Sequence, residues 1–116
     1  MAQYQHLPIY KQTYDLLVRV TEITRGYPRD FKPFASKLRE QVMEVVLLIY
    51  RANSVRAERA RLLEQIVELM QVIELSLRLS CDMRLITKAQ FSSVVAMTDS
   101  VIRQASGWRK NAGAAE

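Results

Sequence analysis

Apolar residues recur at steps of three and four along nearly the whole chain. The first series is Ile9, Thr13, Leu16, Val20, Ile23 and Tyr27, and the second is Leu38, Val42, Val45, Ile49 and Ala52. The third is Leu63, Ile66, Met70, Ile73 and Leu77, and the fourth is Phe91, Val94, Thr98, Val101, Ala105 and Trp108. This spacing puts each series on one face of an α-helix. Four such stripes with short connections predict an all-α fold, an antiparallel up-down-up-down four-helix bundle with helices at about 8–25, 31–52, 55–83 and 88–106.

Local signals set these boundaries. Pro8 and Pro33 suit first-turn positions, where a missing N–H costs nothing. Gly26 offers a left-handed close to the first helix, and Pro28 bars its continuation. Asn53-Ser54 supplies a stop and a new N-cap. Thr87-Lys88-Ala89-Gln90 has the form of a capping box, and Gly107 is expected to close the last helix. Residues 1–110 then make one domain, and the small and polar residues 111–116 are expected to be a disordered tail. Glu74 with Arg78, Arg78 with Asp82, and Asp99 with Arg103 are spaced to pair along helices.

The third helix carries more apolar residues than one seam requires. Leu62, Leu69, Val72, Leu75 and Leu79 widen its stripe. Either the other helices cover that width or a neighbouring subunit does. An oligomer is expected on the second reading.

Composition narrows the function. A chain of 116 residues with 49% hydrophobic content holds one modest core. The single Cys81 excludes an internal disulfide framework, suits a reducing compartment, and reads as a packed small residue. The longest apolar run, Val45 to Tyr50, is far too short to span a membrane, and Met1 to Lys11 lacks the features of a signal peptide. A cytoplasmic protein without a membrane partner is expected. His6 has no helix-spaced partner for a metal, and no second His can serve as a base for a nucleophile. Glu40/Glu44 and Glu64/Glu68 are four apart, but the Glu-x-x-His element of di-metal bundles is missing, so a solvated charged face is the plainer reading. Neither catalysis nor a cofactor is expected.

The formal charge is +5, and twelve of the seventeen cationic residues are arginine. Arginine's planar fork suits phosphate. Arg51, Arg56, Arg59 and Arg61 cluster at the second junction, and Arg78, Arg84 and Lys88 surround the third. Arg103, Arg109 and Lys110 end the last helix, where up-down topology brings them toward Arg51 and Arg56. These ten are the candidate nucleic-acid contacts, acting on phosphates without reading sequence. The alternative is that they solubilise helix ends and complement helix dipoles. Among aromatics, Trp108 beside Arg109 and Lys110 is the candidate base-stacking residue, whereas Tyr10, Tyr14 and Tyr50 read as core or interface packing.

A family resemblance rests on motif order. Ile9-Tyr10-Lys11, Tyr14, Leu16-Leu17, Tyr27-Pro28-Arg29 and Phe34 open the chain. Leu77-Arg78-Leu79-Ser80-Cys81-Asp82-Met83-Arg84-Leu85-Ile86-Thr87 precedes Gln90-Phe91, and Gly107-Trp108 closes the chain. This order resembles the accessory variability determinant (Avd) family of diversity-generating retroelements, within a wider group of four-helix bundles that includes proteins encoded by intervening sequences of ribosomal RNA genes. The resemblance covers roughly residues 7–110, and the Gly-Trp ending favours Avd. It implies a homopentameric basic barrel that binds the retroelement's reverse transcriptase and template RNA, with DNA or an RNA–DNA hybrid as further forms. The implied role is support of mutagenic cDNA synthesis without catalysis. The competing reading is a structural or protein-interaction bundle with no nucleic-acid role.

Overall fold

The structure, a computed structural model, describes residues 3–115, with side chains through residue 111. Four helices carry the chain: α1 Pro8–Thr24, α2 Lys32–Ser54, α3 Arg59–Asp82 and α4 Lys88–Ala115. Short 3-10 turns at Tyr4–His6, Arg29–Phe31 and Arg56–Glu58 precede α1, α2 and α3, and no strand occurs among the described residues. Each helix packs on its two sequence neighbours, and α4 closes the ring on α1. Among the described residues the diagonal pairs have no close backbone approach, so the cross-section is a square around one core, in a rod of 47 × 20 × 18 Å.

The predicted stripes form that core. Leu16, Val20, Leu38, Val42, Val45 and Ile49 are buried from α1 and α2, and Leu63, Ile66, Met70, Ile73, Val94 and Val101 from α3 and α4. Threonine is admitted to the stripe because its hydroxyl returns to its own helix. Thr13 and Thr24 donate to the carbonyls four residues back, each at 2.8 Å. Thr98 donates to the Val95 carbonyl and to Glu74 Oε2 across the α3–α4 seam, both at 2.9 Å.

A smaller cluster of Tyr27, Ala35 and Ile86 seals the end formed by the α1–α2 and α3–α4 connections. Cys81 is half-buried against it. The Tyr27 hydroxyl donates to Ser80 Oγ at 2.7 Å, and that hydroxyl donates to the Ser76 carbonyl at 2.9 Å. Burial raises the Tyr27 pKa above 10.0, with the Ser80 hydrogen bond opposing the shift.

Helix ends follow the sequence signals in part. The capping box forms as expected: the Thr87 N–H donates to Gln90 Oε1 at 2.9 Å, and the Gln90 N–H donates to Thr87 Oγ1 at 3.0 Å. Gly26 does not take a left-handed conformation. The end of α1 instead tightens into i→i+3 bonds, Gly26 N–H to Ile23 O and Tyr27 N–H to Thr24 O. Ser54 does not cap α3; it is the last residue of α2, and the 3-10 turn intervenes. Gly107 does not close α4 either, because the helix passes through it to Ala115. The stretch expected to be a disordered tail is therefore helical in backbone from residue 111 to 115, and Glu116 lies outside the described residues.

The left-handed position lies elsewhere. Arg84 has φ 61°, the one positive-φ non-glycine residue among those described. Its N–H donates to Cys81 O at 3.0 Å, and the Leu85 N–H donates to Ser80 O at 2.8 Å. Those two bonds make a Schellman close for α3, with arginine where glycine is the usual occupant.

Candidate nucleic-acid interface

The square, alternating bundle decides which cations can act together. One end gathers the α2–α3 connection, the start of α1 and the last turns of α4. The other gathers the α1–α2 and α3–α4 connections. The ten candidate residues therefore split.

At the first end, three arginines have structural partners. Arg59 folds back on the terminus of α2: Nε donates to Ala52 O at 2.6 Å and an Nη to Asn53 O at 3.1 Å. These are carbonyls that a helix C-terminus leaves without intrahelical donors, and the guanidinium charge also complements the dipole there. Its Cζ stands 5.5 Å from the Trp108 ring centroid. Arg61 pairs with Glu58, and Arg109 with Glu64 at 3.4 Å, both on the surface. The side chains of Arg51, Arg56, Arg103 and Lys110 are exposed and have no hydrogen bond or ion pair with any described residue. They are the cations available to a polyanion at this end.

Trp108 cannot be read as an open stacking surface. It is half-buried against the core, and Arg59 occupies one face. Of the tyrosines, Tyr10 packs on the core, whereas Tyr14 and Tyr50 are 49% and 48% exposed and so are not core residues.

At the opposite end, Arg84 and Lys88 line one crevice with Cys81 and Thr87. Sequence reasoning passed over Arg25, Arg29 and Lys32, which the α1–α2 connection exposes at this same end. The signal was present in the topology that already placed the two connections together. Lys32 Nζ donates to Arg25 O at 3.1 Å, another cation on a helix terminus. Arg78 stands apart on the α3–α4 flank with Glu74 and Asp99. The i,i+4 pairs expected there are not ion pairs among the described residues; Glu74 instead accepts the Thr98 hydroxyl.

The widened stripe of α3 also divides. Leu62 is buried and Leu69 packs on the core, whereas Val72, Leu75, Leu79 and Met83 stay exposed on one outward strip. A second apolar surface lies in the groove between α1 and α2, lined by Leu17, Met43 and Leu47. Arg39 crosses that groove and donates to Thr24 Oγ1 at 2.9 Å and Ser36 Oγ at 3.1 Å.

Among the described residues, no three His, Cys, Asp or Glu side chains stand close enough to share a metal ion. No helix among them is long and apolar enough to cross a membrane. The class defined by this architecture is an all-α, square four-helix bundle with exposed cations at both ends and two unlike apolar flanks. No protein-family model matches the chain, and no curated protein or solved structure matches it.

Proposed function

We propose that the protein is a non-catalytic accessory factor of a diversity-generating retroelement, binding template RNA and the element's reverse transcriptase to support mutagenic cDNA synthesis. The observation that carries the nucleic-acid part is the group Arg51, Arg56, Arg103 and Lys110, four exposed cations toward one end of the bundle whose side chains have no partner among the described residues. Unpaired surface cations contact phosphate at little desolvation cost and release counterions when they do. The retroelement assignment rests on the motif order described above.

The partner state in this reading is a homo-oligomer, a pentamer as the resemblance implies. The exposed α3 strip and the α1–α2 groove differ in shape and residues, so contact between them is head-to-tail, and head-to-tail contacts that close make rings. Leu75, 67% exposed, is the test position. Leu75→Glu is expected to reduce the sedimenting mass to that of one chain with helicity unchanged. A wild-type chain that sediments as a monomer at micromolar concentration overturns the oligomer.

A titration of labelled structured RNA at several salt concentrations tests the nucleic-acid part. Steep weakening between about 50 and 200 mM salt is expected. The second reading, a protein-interaction bundle without nucleic acid, is favoured by the exposed α3 strip. It predicts no RNA binding at low salt and partner docking that salt hardly changes.

A further inference from the structure

Four of the five tyrosines stand in one chain of ring contacts. Tyr50 on α2 meets Tyr4 edge-on at 5.0 Å between centroids. Tyr4 meets Tyr10 edge-on at 5.2 Å, and Tyr10 stacks on Tyr14 at 6.1 Å with 27° between planes. The 3-10 turn Tyr4–His6 therefore lays an aromatic bridge across the upper α1–α2 seam. Tyr14 and Tyr50, the two ends of the chain, are half-exposed. None of these four hydroxyls hydrogen-bonds to a described residue; the tyrosine hydroxyl that does belongs to Tyr27.

Tyr10 packs against the core, and the Tyr4 ring contacts dock the N-terminal 3-10 turn on α1 and α2; the outer rings add exposed faces. A core aromatic is buried, and these outer rings are not. The inner pair, Tyr4 and Tyr10, is partly covered and braces the outer pair, so each outer ring is held by a neighbour and needs no ordering on contact. The surrounding charge selects the occupant. Lys11 lies one turn before Tyr14, Arg51 follows Tyr50, and Arg56 follows the end of α2; all three side chains are exposed and have no hydrogen bond or ion pair with a described residue. Asp15, one turn beyond Lys11, lies about 100° from Tyr14 around α1, as Arg51 does from Tyr50 around α2, and it makes no ion pair with a described residue. Braced aromatic faces among exposed cations match a strand that offers unpaired bases and phosphates together.

We infer that the Tyr50–Tyr4–Tyr10–Tyr14 ladder is a stacking platform for unpaired bases, so that the basic end prefers single-stranded nucleic acid over duplex. This deepens the nucleic-acid reading and rests on it. Bases stack on Tyr14 and Tyr50 while Lys11, Arg51 and Arg56 hold the flanking phosphates. Duplex ends and backbones still bind through the cations, but without the stacking gain. Tyr14 and Tyr50 stand one turn from Leu17 and Leu47 of the α1–α2 groove, so the two surfaces adjoin.

The test is fluorescence anisotropy at low salt with three probes of ~12 nucleotides: oligo(U), a blunt RNA duplex, and a strand with the same phosphates but abasic sugars. Wild type is expected to bind oligo(U) most tightly. Tyr14→Ala with Tyr50→Ala should weaken oligo(U) by about tenfold or more and leave the abasic strand unchanged, while Tyr14→Phe with Tyr50→Phe stays within about twofold of wild type. Far-ultraviolet circular dichroism checks that each variant keeps its helices. Equal losses on oligo(U) and abasic strand, or no loss on either, overturn the platform while leaving the cationic contact standing. A drop in sedimenting mass with the alanine pair shows the face to be a subunit contact and also overturns it. Wild type that binds none of the probes overturns the nucleic-acid reading itself.

Discussion

Arg59 and Arg56 lie three residues apart in one basic cluster, yet their environments predict opposite phenotypes. Arg59→Ala removes two hydrogen bonds from a charged donor to the Ala52 and Asn53 carbonyls and the contact with the Trp108 ring. A hydrogen bond to a charged group contributes about 1.5–3 kcal/mol, and a partly exposed cation–π contact about 0.5–1 kcal/mol. The carbonyls at issue belong to buried residues, so water replaces the lost donor poorly. Arg59 is itself only half-buried, so the two bonds are discounted toward their lower values. The expected loss is about 2–4 kcal/mol, a large part of the ~5–15 kcal/mol available to a domain. Arg56→Ala removes no hydrogen bond or ion pair with a described residue and is expected within ~0.5 kcal/mol of wild type.

Urea unfolding followed by circular dichroism at one fixed protein concentration reads both values, since association would shift the midpoint. Arg59→Lys adds a control. It keeps the charge but loses the fork that spans two carbonyls, and should fall between wild type and alanine. In the RNA titration the order reverses: Arg56→Ala weakens binding and flattens the salt dependence, while folded Arg59→Ala binds nearly as wild type does. Arg59→Ala with unchanged stability and binding as weak as that of Arg56→Ala would refute the division between a structural and a ligand-facing arginine.

Two glycine exchanges test the helix ends. Arg84→Gly relieves a left-handed conformation that costs a side-chain-bearing residue about 1–2 kcal/mol, partly offset by glycine's freer unfolded chain; a midpoint rise worth ~0.5–1 kcal/mol is expected, and a fall would deny the Schellman close. Gly107→Ala places a methyl where nothing lies within 4 Å, inside a continuing helix, and should stabilise by about 0.5–1 kcal/mol. Destabilisation there would mean that Gly107 does end the helix in a left-handed turn. Tyr27 governs alkaline behaviour: its pKa is raised from 10.0 in the folded chain, so the fold holds more protons than the unfolded chain above that pH. Its stabilising contribution is complete below pH 10.0 and is lost as pH rises through the folded value, so Tyr27→Phe should be less stable at neutral pH but flatter across alkaline denaturation.

The hydrophobic period made the bundle readable because burial repeats every few residues and averages over a whole helix. Ile9, Leu16 and Val20, or Leu63, Ile66 and Met70, need no knowledge of any other segment to be placed on one face. The reciprocal Thr87–Gln90 cap was readable for the same reason, since both partners sit within one turn. Glycine misled at Gly26 and Gly107 because a residue permitted to be left-handed is not compelled to be. Where i→i+3 bonds or continued helix satisfy the carbonyls, that freedom goes unused. At Arg84 the two closing hydrogen bonds impose the conformation on a residue that disfavours it, and no composition rule finds that.

Charge was the least readable property, and the reason is reach. A guanidinium acts several ångströms from its Cα, so its role depends on which helix end or ring the fold brings within that distance. Arg51, Arg56, Arg59 and Arg61 form one cluster by sequence. In the structure one caps a helix and braces a tryptophan, one pairs with a glutamate, and two have side chains without a partner among the described residues. The aromatics sort by the same rule: Trp108, flanked by basic residues, is covered by Arg59, while Tyr14 and Tyr50, which periodicity assigned to core or interface packing, reach the surface at the ends of a braced ladder. Arg59 thereby links the two. By covering Trp108 and fixing the end of α2, it positions the start of α3 and leaves Arg56 and Arg51 pointing outward on the last turn before it. A loss of RNA binding in any Arg59 variant must therefore be separated from a displaced Arg56, and the folded Arg59→Lys protein, which keeps the cap's charge, makes that separation.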